Sequence, residues 1–227
     1  MDRHPLHGTI NPDFIRPSSG LIAKLSRHDT AKIADSMGAC GVASHEIKPL
    51  RPKMRVFGPA LTVLTRPGDA LYVQKAIEYI KPGDVVVIDA QGYPDVAVIG
   101  ERLSHYMKLK GCAGIVVDGA VRDSMGIIDE KIPVWSRGTC IRIFGTQGPG
   151  AINVPVTCGG VVVNPGDIIC GDADGIVIIP QADAERIAKL ADEHLESELL
   201  RKKEIESGKS VSEVFGLAAK LEKWNPR

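Results

Sequence analysis

The sequence predicts an α/β fold built around a mainly parallel sheet, and three observations predict it. Short runs rich in β-branched residues alternate with helical stretches, so that residues 84 to 135 have the order β-α-β-α-β, which is typical of parallel crossovers. The stretches "GDVVVIDA" and "AGIVVDG" contain continuous apolar runs, as expected of strands buried on both faces. The chain has 227 residues, 44% of them hydrophobic, which is enough for one domain with a sizeable core.

The first predicted elements are an arm, a helix, a strand and a second helix. Residues 1–20 contain Pro, Gly and polar residues, which indicates an irregular N-terminal arm. Apolar residues at helical spacing from Leu21 to Met37 predict a helix that ends at Gly38. We then expect a strand from about Gly58 to Thr65 and a helix in "GDALYVQKAIEYI".

The central unit supplies the next elements. After the strand in "GDVVVIDA" we expect the loop "QGYP" and then a helix over residues 95–111, closed by Gly111. A strand in "AGIVVDG" follows. The stretch "RDSMGIIDE" predicts a short helix, and "IPVW" predicts the last strand of the unit.

Beyond Gly138 short apolar runs are separated by Gly and Pro, which predicts antiparallel or barrel-like strands with tight turns. These runs are "TCIRIFG" (139–145), "INVPVTCGGVVVNPGD" (152–167) and "IICGDADGIVIIP" (168–180). A long polar helix from about Ala182 to Ser207 and a short helical stretch to Trp224 end the chain, and we expect them to pack on a neighbour or in solvent. The predicted organisation is an arm at 1–20, an α/β catalytic domain at 21–180 and a C-terminal helical extension at 181–227.

The tripeptide Pro-Gly-Asp occurs three times, at 67–69, 82–84 and 165–167. The last two copies also share the Asp five positions on, and the Ala and Gly that end "PGDVVVIDAQG" and "PGDIICGDADG". Their irregular spacing argues against a solenoid. Each copy predicts a tight turn that starts a strand or helix, because Pro fixes φ and Gly permits a positive φ.

Composition and charge exclude several classes of protein. The 28 basic residues equal the 28 acidic ones, and no basic run exceeds Arg201-Lys202-Lys203, so we expect no direct nucleic-acid ligand. The five cysteines are scattered without a Cys-x-x-Cys pair, which favours reduced thiols. The N-terminus lacks the apolar core of a signal peptide and nowhere do 18 apolar residues run together, so we expect a cytoplasmic protein without membrane contact.

The candidate chemistry lies at two predicted strand ends. The sequence has no P-loop, zinc-ligand spacing or Gly-x-Ser-x-Gly elbow. It does place Glu101, Arg122 and Asp123 after neighbouring strands, where ligands of open α/β sheets bind and where carboxylates suit a hard divalent cation. A second interpretation is that Arg122 and Asp123 only start a short helix, with Asp complementing its dipole and Arg in a surface ion pair. Residue chemistry leaves both interpretations open.

The stretch "GIVVDGAVRDSMGI", together with the upstream "IGERL", resembles the signature of the class II pyruvate aldolases. Within that class it is similar to the 4-hydroxy-4-methyl-2-oxoglutarate / 4-carboxy-4-hydroxy-2-oxoadipate aldolase family, and the similarity covers most of the chain. The same fold family includes the regulators of ribonuclease activity, which also resemble "DGAVRD". The resemblance implies a single swivelling β/β/α-type domain with a central parallel or mixed sheet, barrel-like strands and a C-terminal helical extension.

The resemblance also implies site residues. Asp123 would bind Mg²⁺ or Mn²⁺, and Arg122 would support the developing enolate oxygen of the substrate. The backbone amides near Gly100, Arg102 and Leu103 would hold the substrate carboxylate. Glu101 stands where well-known members have Asp, which lengthens that side chain by one methylene.

A further catalytic acid is expected from the C-terminal helix, reaching over from an adjacent subunit. Glu193, Glu196 and Glu198 populate this helix, with Glu198 as the first choice and Glu196 as the second. The implied assembly is a homotrimer or homohexamer. No lysine is needed as a Schiff base, and Lys108 and Lys131 are expected at the surface.

The function implied is metal-dependent retro-aldol cleavage of 4-hydroxy-4-methyl-2-oxoglutarate, or a similar 4-hydroxy-2-oxoacid, to pyruvate and a second oxoacid. Decarboxylation of oxaloacetate would be a side activity, because it passes through the same pyruvate enolate. The alternative is a non-catalytic, protein-binding regulator of ribonuclease activity with the same fold. A third option is a related metal enzyme acting on a sugar-derived 2-oxoacid.

Overall fold

The computed structural model describes residues 5–143 and 145–224. Its helices are α1 (Ser19–Leu25), α2 (Thr30–Ser36), α3 (Leu71–Ala76), α4 (Glu101–Leu109), α5 (Ser124–Asp129), α6 (Ala184–Glu206), α7 (Val211–Phe215) and α8 (Leu217–Glu222). Its strands are β1 (Lys48–Pro49), β2 (Val56–Thr65), β3 (Val85–Ile99), β4 (Gly114–Val121), β5 (Val134–Thr139), β6 (Gly150–Ile152), β7 (Val156–Cys158), β8 (Val161–Val163), β9 (Ile168–Gly171) and β10 (Ile176–Ile179). Within the described ranges, no helix is long and apolar enough to cross a membrane.

One sheet contains most of the strands, in the order β1-β5-β4-β3-β2-β9-β10. Strands β2, β3, β4 and β5 are parallel, and for β3, β4 and β5 this confirms the parallel crossovers that the sequence predicts over residues 84–135. On the other edge of β2, its first half pairs antiparallel with β9 and its second half with β6. β7 and β8 form a separate antiparallel hairpin. The predicted α/β class, with a mixed sheet, barrel-like strands and a C-terminal helical extension, is confirmed.

Both faces of the parallel strands are buried. Val86 and Ile88 of β3 pack in a cluster with helical residues such as Met107, whereas Val85 and Val87 pack in a second cluster with β7 to β10. Alternate residues of a strand point to opposite faces, so a strand covered on both sides needs apolar residues at successive positions. Each fully buried aliphatic side chain stabilises the fold by about 1.5–3 kcal/mol.

A third apolar cluster joins the N-terminal helices to the C-terminal helix. Leu25 of α1 and Ile33 of α2 pack with Ile187 of α6 against β9 and β10. The arm before α1 is irregular but docked, because Arg16 forms two hydrogen bonds of 2.8 Å to the buried Asp84 carboxylate. The second half of α6 and the two short helices after it are exposed along most of their length.

The predicted helix over residues 95–111 is wrong in its first third. Residues 95–99 continue β3 beside β4, and α4 begins only at Glu101 with Gly100 as its N-cap. The four residues Val96, Ala97, Val98 and Ile99 are completely buried, and β-branched residues suit a sheet better than a helix. The apolar spacing of this stretch therefore reflects a strand covered on both faces, and the predicted loop at 91–94 is part of an irregular strand.

Two other predictions need correction. The helix expected from Leu21 to Met37 is two helices, α1 and α2, because the backbone of Asp29 is extended. His28, in the connection between them, is buried, and its ring nitrogen Nε2 lies 3.0 Å from the Asp192 carboxylate of α6. Its predicted end is confirmed by Gly38, which has a φ of 62°. The strand expected over 139–145 is confined, among the described residues, to Thr139 at the end of β5 and an isolated bridge at Gly145.

Candidate active site

Two neighbouring parallel strands bring the predicted site residues together. Gly100 follows β3 and Arg122 follows β4, and the Arg122 amide donates a 3.0 Å hydrogen bond to the Ile99 carbonyl. A Cβ atom at Gly100 would overlap Asp123 Oδ2 and lie 3.0 Å from Arg122 Cγ. The backbone of Gly100 is extended, so this position requires a glycine because of space rather than φ.

Asp123 has an unusual backbone for a residue with a side chain. Its φ and ψ are 52° and 41°, in the left-handed region, which costs about 1–2 kcal/mol for most residues and less for Asp. Asp123 occupies the N-cap position of α5, but its side chain accepts no capping hydrogen bond. The Asp123 carboxylate therefore lies at the end of β4 and does not cap α5.

The pair formed by Arg122 and Asp123 is loose. Arg122 Nε lies 3.4 Å from Asp123 Oδ2, and both side chains are more than one-third exposed. Arg122 Nε is itself buried and makes no hydrogen bond to the described residues. The ion pair of the second interpretation is present, but it leaves polar atoms of both side chains available to a ligand.

These residues line an open cleft of about 230 Å³. One wall comes from the ends of β3 and β4 and the start of α4, and consists of Ile99, Gly100, Arg102, Leu103, Arg122 and Asp123. The rest comes from the start of α3 and the segment before β6, and consists of Ala70, Gln74, Ile143, Gly145 and Thr146. Two arginines and one carboxylate line the cleft, so its charged side chains favour a small anion.

The N-terminus of α4 opens on this cleft. Helices leave their first backbone N–H groups without an intrahelical partner, and no side chain caps these groups here. Because α4 begins at Glu101, the unpartnered amides are those around Arg102 and Leu103, both of which line the cleft. This end of the helix is suited to a carboxylate group.

Glu101 is placed beside the cleft rather than in its lining. It is exposed in the first turn of α4, and its carboxylate lies over Gly126 of α5, where a Cβ atom would overlap it. Its backbone is adjacent to Gly100.

Glu198 lies in another region of the chain. It is exposed on α6 and forms an ion pair with Lys32 of α2, whose hydrogen bond holds the pKa of the Glu198 carboxyl below its usual value. Both residues line a groove of about 670 Å³ between α2, α6 and α7, which carries charges of both signs. Glu193 and Glu196 lie along the same helix, and none of these three acids lines the cleft of its own chain.

The second part of the cleft lining was not predicted. Ala70, Gln74 and Thr146 carry no catalytic residue type, and nothing in their spacing indicates that 70–74 and 145–146 meet. One signal was present in the Pro-Gly-Asp copy at 67–69, which immediately precedes Ala70.

Comparison with known proteins gives consistent matches. Residues 30–178 match the RraA-like family, described as Aldolase/RraA. A protein of Halalkalibacterium halodurans named "Putative 4-hydroxy-4-methyl-2-oxoglutarate aldolase" is 39% identical over 194 residues, which are 86% of this chain and 90% of that protein.

Solved structures match as well. The structure of Streptomyces coelicolor RraAS2, described as an unusual member of the RNase ES inhibitor RraA protein family, is 32% identical, with a TM-score of 0.75 over 84% of this chain and 99% of that one. The RNA-processing inhibitor RraA from Thermus thermophilis is 27% identical, with a TM-score of 0.62 over 67% and 93% of the two chains.

Proposed function

This chain belongs to the RraA-like family, Aldolase/RraA, and from that premise we propose that it is a divalent-metal-dependent aldolase of 4-hydroxy-2-oxoacids. The substrate proposed is 4-hydroxy-4-methyl-2-oxoglutarate or a close analogue, cleaved to pyruvate and a second oxoacid, with oxaloacetate decarboxylation as a side activity. One observation carries the proposal: Gly100, Arg102, Leu103, Arg122 and Asp123 line a single cleft.

The donor set of the cleft fits a hard cation that keeps most of its water. Asp123 offers an exposed carboxylate that no helix cap uses. The described residues contain no group of three or more His, Cys, Asp or Glu side chains that could enclose a metal. Mg²⁺ is commonly bound by one or two carboxylates, with waters filling the other positions. Asp123 would therefore be the protein ligand of Mg²⁺ or Mn²⁺.

Different residues of the cleft bind the substrate and stabilise the negative charge that develops during the reaction. The amides at the start of α4 bind the C1 carboxylate, which sets the 2-oxo oxygen near the Arg122 guanidinium. A bound cation supplies a fixed positive charge that polarises the 2-oxo group. Arg122 stabilises the negative charge that develops on the 2-oxo oxygen, so its interaction is stronger in the transition state than in the bound substrate.

The proton and electron movements follow from the bond that breaks. The C4 hydroxyl loses its proton to a water held by an acid, the C3–C4 bond breaks, and its electron pair passes to the enolate of pyruvate. Protonation at C3 then completes pyruvate. Glu101 beside the cleft, and Glu198 of an adjacent subunit in a homotrimer or homohexamer, are the acids proposed to hold that water.

Arg102 is proposed to bind the carboxylate at the far end of the substrate. Its side chain lines both the cleft and an adjoining groove with Gln74 and Tyr106. Within the described part of the chain Arg102 forms no ion pair, while Glu78 in the same groove is paired with Lys75 at 2.6 Å. An unpaired guanidinium at this place favours a dicarboxylate over a substrate with an uncharged end.

The test is an assay of pyruvate release from 4-hydroxy-4-methyl-2-oxoglutarate with Mg²⁺ or Mn²⁺. We expect turnover that EDTA abolishes and that the added cation restores, and slower release of pyruvate from oxaloacetate. Borohydride in the presence of pyruvate is expected to trap no lysine adduct. No turnover of either substrate with either cation, or a trapped adduct, would contradict the proposal.

A second candidate function is supported by the similarity to RraAS2. In this case the chain would bind and inhibit a ribonuclease and would not turn over oxoacids. Inhibition of RNA cleavage by the purified chain, unaffected by Asp123→Asn and accompanied by no pyruvate release, would favour this regulator over the aldolase.

A further inference from the structure

The three Pro-Gly-Asp copies fold into the same turn. In each, the Asp amide donates a 3.1 Å hydrogen bond to the carbonyl three residues before it, and the Gly has a φ between 78° and 94°. Proline at the second position and a positive φ at the third are typical of a type II β-turn. Asp69, Asp84 and Asp167 are all buried. The backbone therefore does not distinguish the copies.

The carboxylates do distinguish them. Asp84 and Asp167 each accept a 2.8 Å hydrogen bond from the amide of the first residue of their own turn, Lys81 and Asn164. No such amide bond to Asp69 occurs in the described structure. Within its own turn Asp69 accepts a long 3.5 Å hydrogen bond from the Arg66 side chain, and its other bonds come from amides that follow the turn or lie far along the chain. Asp84 and Asp167 thus close their own turns in addition to bonding Arg16 and the Gln181 amide, whereas the backbone amides that bond the Asp69 carboxylate all lie outside its turn.

Asp69 joins the start of α3 to the segment 145–148. Its Oδ1 accepts a 2.9 Å hydrogen bond from the Leu71 amide, and its Oδ2 accepts bonds of 2.8 and 2.9 Å from the amides of Gln147 and Gly148. Next to it, the Ala70 amide donates to the Gly145 carbonyl at 2.8 Å. Hydrogen bonds to an ionised carboxylate are stronger than neutral ones.

The carboxylate is held in its charged form. Burial alone would raise the pKa of Asp69, but the three backbone amides and the nearby Arg66 guanidinium outweigh burial and lower the pKa below its usual value. With only 1% of its surface exposed, Asp69 is out of reach of a ligand in the cleft. Any effect of Asp69 on a ligand must pass through the segments that it holds.

Both segments contribute to the cleft, the first through Ala70 and Gln74 and the second through Gly145 and Thr146. We propose that Asp69 is a positioning residue of the cleft, which fixes these two segments opposite the binding residues and so sets the affinity for substrate. The proposal rests on the proposed function, since it assigns the cleft to the 2-oxoacid. Under this proposal the Pro-Gly-Asp copy at 67–69 has a role in substrate binding, and the copies at 82–84 and 165–167 have structural roles.

The test compares Asp69→Asn with Asp167→Asn. Asp167 is a matched control because it is also buried in a Pro-Gly-Asp turn, accepts hydrogen bonds from the Asn164 amide, the Asn164 side chain and the Gln181 amide, and contributes nothing to the cleft lining. We expect Asp69→Asn to raise KM about tenfold with kcat within about threefold, because an amide group presents N–H donors where the backbone also donates. Asp167→Asn should lower Tm and leave KM unchanged.

Hydrogen exchange at the Gln147 and Gly148 amides provides a readout independent of activity. We expect it to be faster by about tenfold or more in Asp69→Asn and unchanged in Asp167→Asn. If Asp69→Asn does not fold, Asp69→Glu is compared with Asp167→Asn in the same two measurements. Asp69→Glu keeps the charge but displaces the carboxylate, so we expect the same direction of change. An unchanged KM, with only Tm lowered, would overturn the proposal.

Failure of the proposed function is distinguishable from failure of this proposal. If the unmodified chain releases no pyruvate, the proposed function fails alone. In that case exchange at the two amides that is no faster in Asp69→Asn than in Asp167→Asn would still overturn the positioning role of Asp69.

Discussion

Strand β4 carries two aspartates that each contact an arginine, one within the strand and one just beyond its end. Asp118 is buried, accepts a 2.5 Å hydrogen bond from Arg137 Nε and accepts a second one from the Gly159 amide. Asp123 is exposed and lies 3.4 Å from Arg122 Nε without a hydrogen bond between the two side chains. The Asp118 carboxylate thus has hydrogen-bond partners within the protein, whereas the Asp123 carboxylate remains accessible to a ligand.

Burial and hydrogen bonding distinguish a structural pair from a candidate functional one. Burying a charge is costly unless its partners satisfy it, so the contacts of Asp118 serve the folded state. The pair at the strand end keeps solvent access and a left-handed backbone at Asp123, and neither feature adds stability. We therefore expect substitutions at Asp118 to reduce stability and those at Asp123 to reduce activity.

The largest expected effect is that of Asp123→Asn on catalysis. Losing the carboxylate that would hold the cation should lower kcat/KM about 100- to 1,000-fold, while Tm stays within about 2 °C because the fold loses only the loose, exposed ion pair with Arg122. Pyruvate release and thermal unfolding measure the two quantities. Asp129→Asn, on the exposed face of α5, is the control and should change neither. Equal activity in the two variants would remove Asp123 from the site.

The matching substitution in the buried pair is Asp118→Asn. It leaves the Arg137 guanidinium with only the exposed Glu46 as a charged partner, and we expect the free energy of unfolding to fall by about 3 kcal/mol. Urea denaturation measures this change. Glu46→Gln, at the solvent side of the same cluster, should have a much smaller effect. Full stability of Asp118→Asn with loss of activity would reverse the comparison between the pairs.

A smaller effect is expected for Arg102→Gln, which tests the second available charge of the cleft, at the start of α4. KM for 4-hydroxy-4-methyl-2-oxoglutarate should rise about tenfold, as expected for one lost charge-assisted hydrogen bond, with kcat little changed. KM for 4-hydroxy-2-oxopentanoate, which lacks the distal carboxylate, should stay the same. Lys110→Gln at the other end of α4 is the charge-matched control. An equal rise in KM for both substrates would show that Arg102 does not select the dicarboxylate.

The smallest expected effect on stability is that of Glu198→Gln. The ion pair with Lys32 is exposed and screened by salt, so Tm should shift by less than about 1 °C. The depressed pKa of Glu198 means that the pair is intact above the usual carboxyl pKa and is lost as pH falls through the lowered value.

A loss of activity in Glu198→Gln, without a change in Tm, would support a role for Glu198 in the site of an adjacent subunit. Glu206→Gln, also exposed on α6, serves as the control. Full activity in Glu198→Gln would leave Glu196 and Glu101 as the candidate acids.

The sequence predicted which two neighbouring strands lead to the site, but it placed the end of the first strand at Ala90, nine residues before the end of β3 at Ile99. Parallel strands with continuous apolar runs place their carboxyl ends side by side, which is why Glu101 was expected near Arg122 and Asp123. The start of α4 was misplaced because the buried run at 96–99 fits a helix or a doubly covered strand equally well in periodicity. Because α4 begins at Glu101, its unpartnered backbone amides around Arg102 and Leu103 lie at the edge of the cleft.

The amino-acid sequence is enough to predict the parallel core, the turn at each Pro-Gly-Asp and the presence of Arg122 and Asp123 after a buried strand. These depend on local patterns, because apolar periodicity and turn chemistry act over a few neighbouring residues. Only the tertiary structure decided that Asp69 holds a segment 78 residues away, that Asp118 is saturated and that Glu198 lies apart from the cleft of its own chain. Such contacts join residues that are far apart in the sequence, and they depend on how the loops pack over the sheet. Patterns that span a few neighbouring residues do not determine this packing.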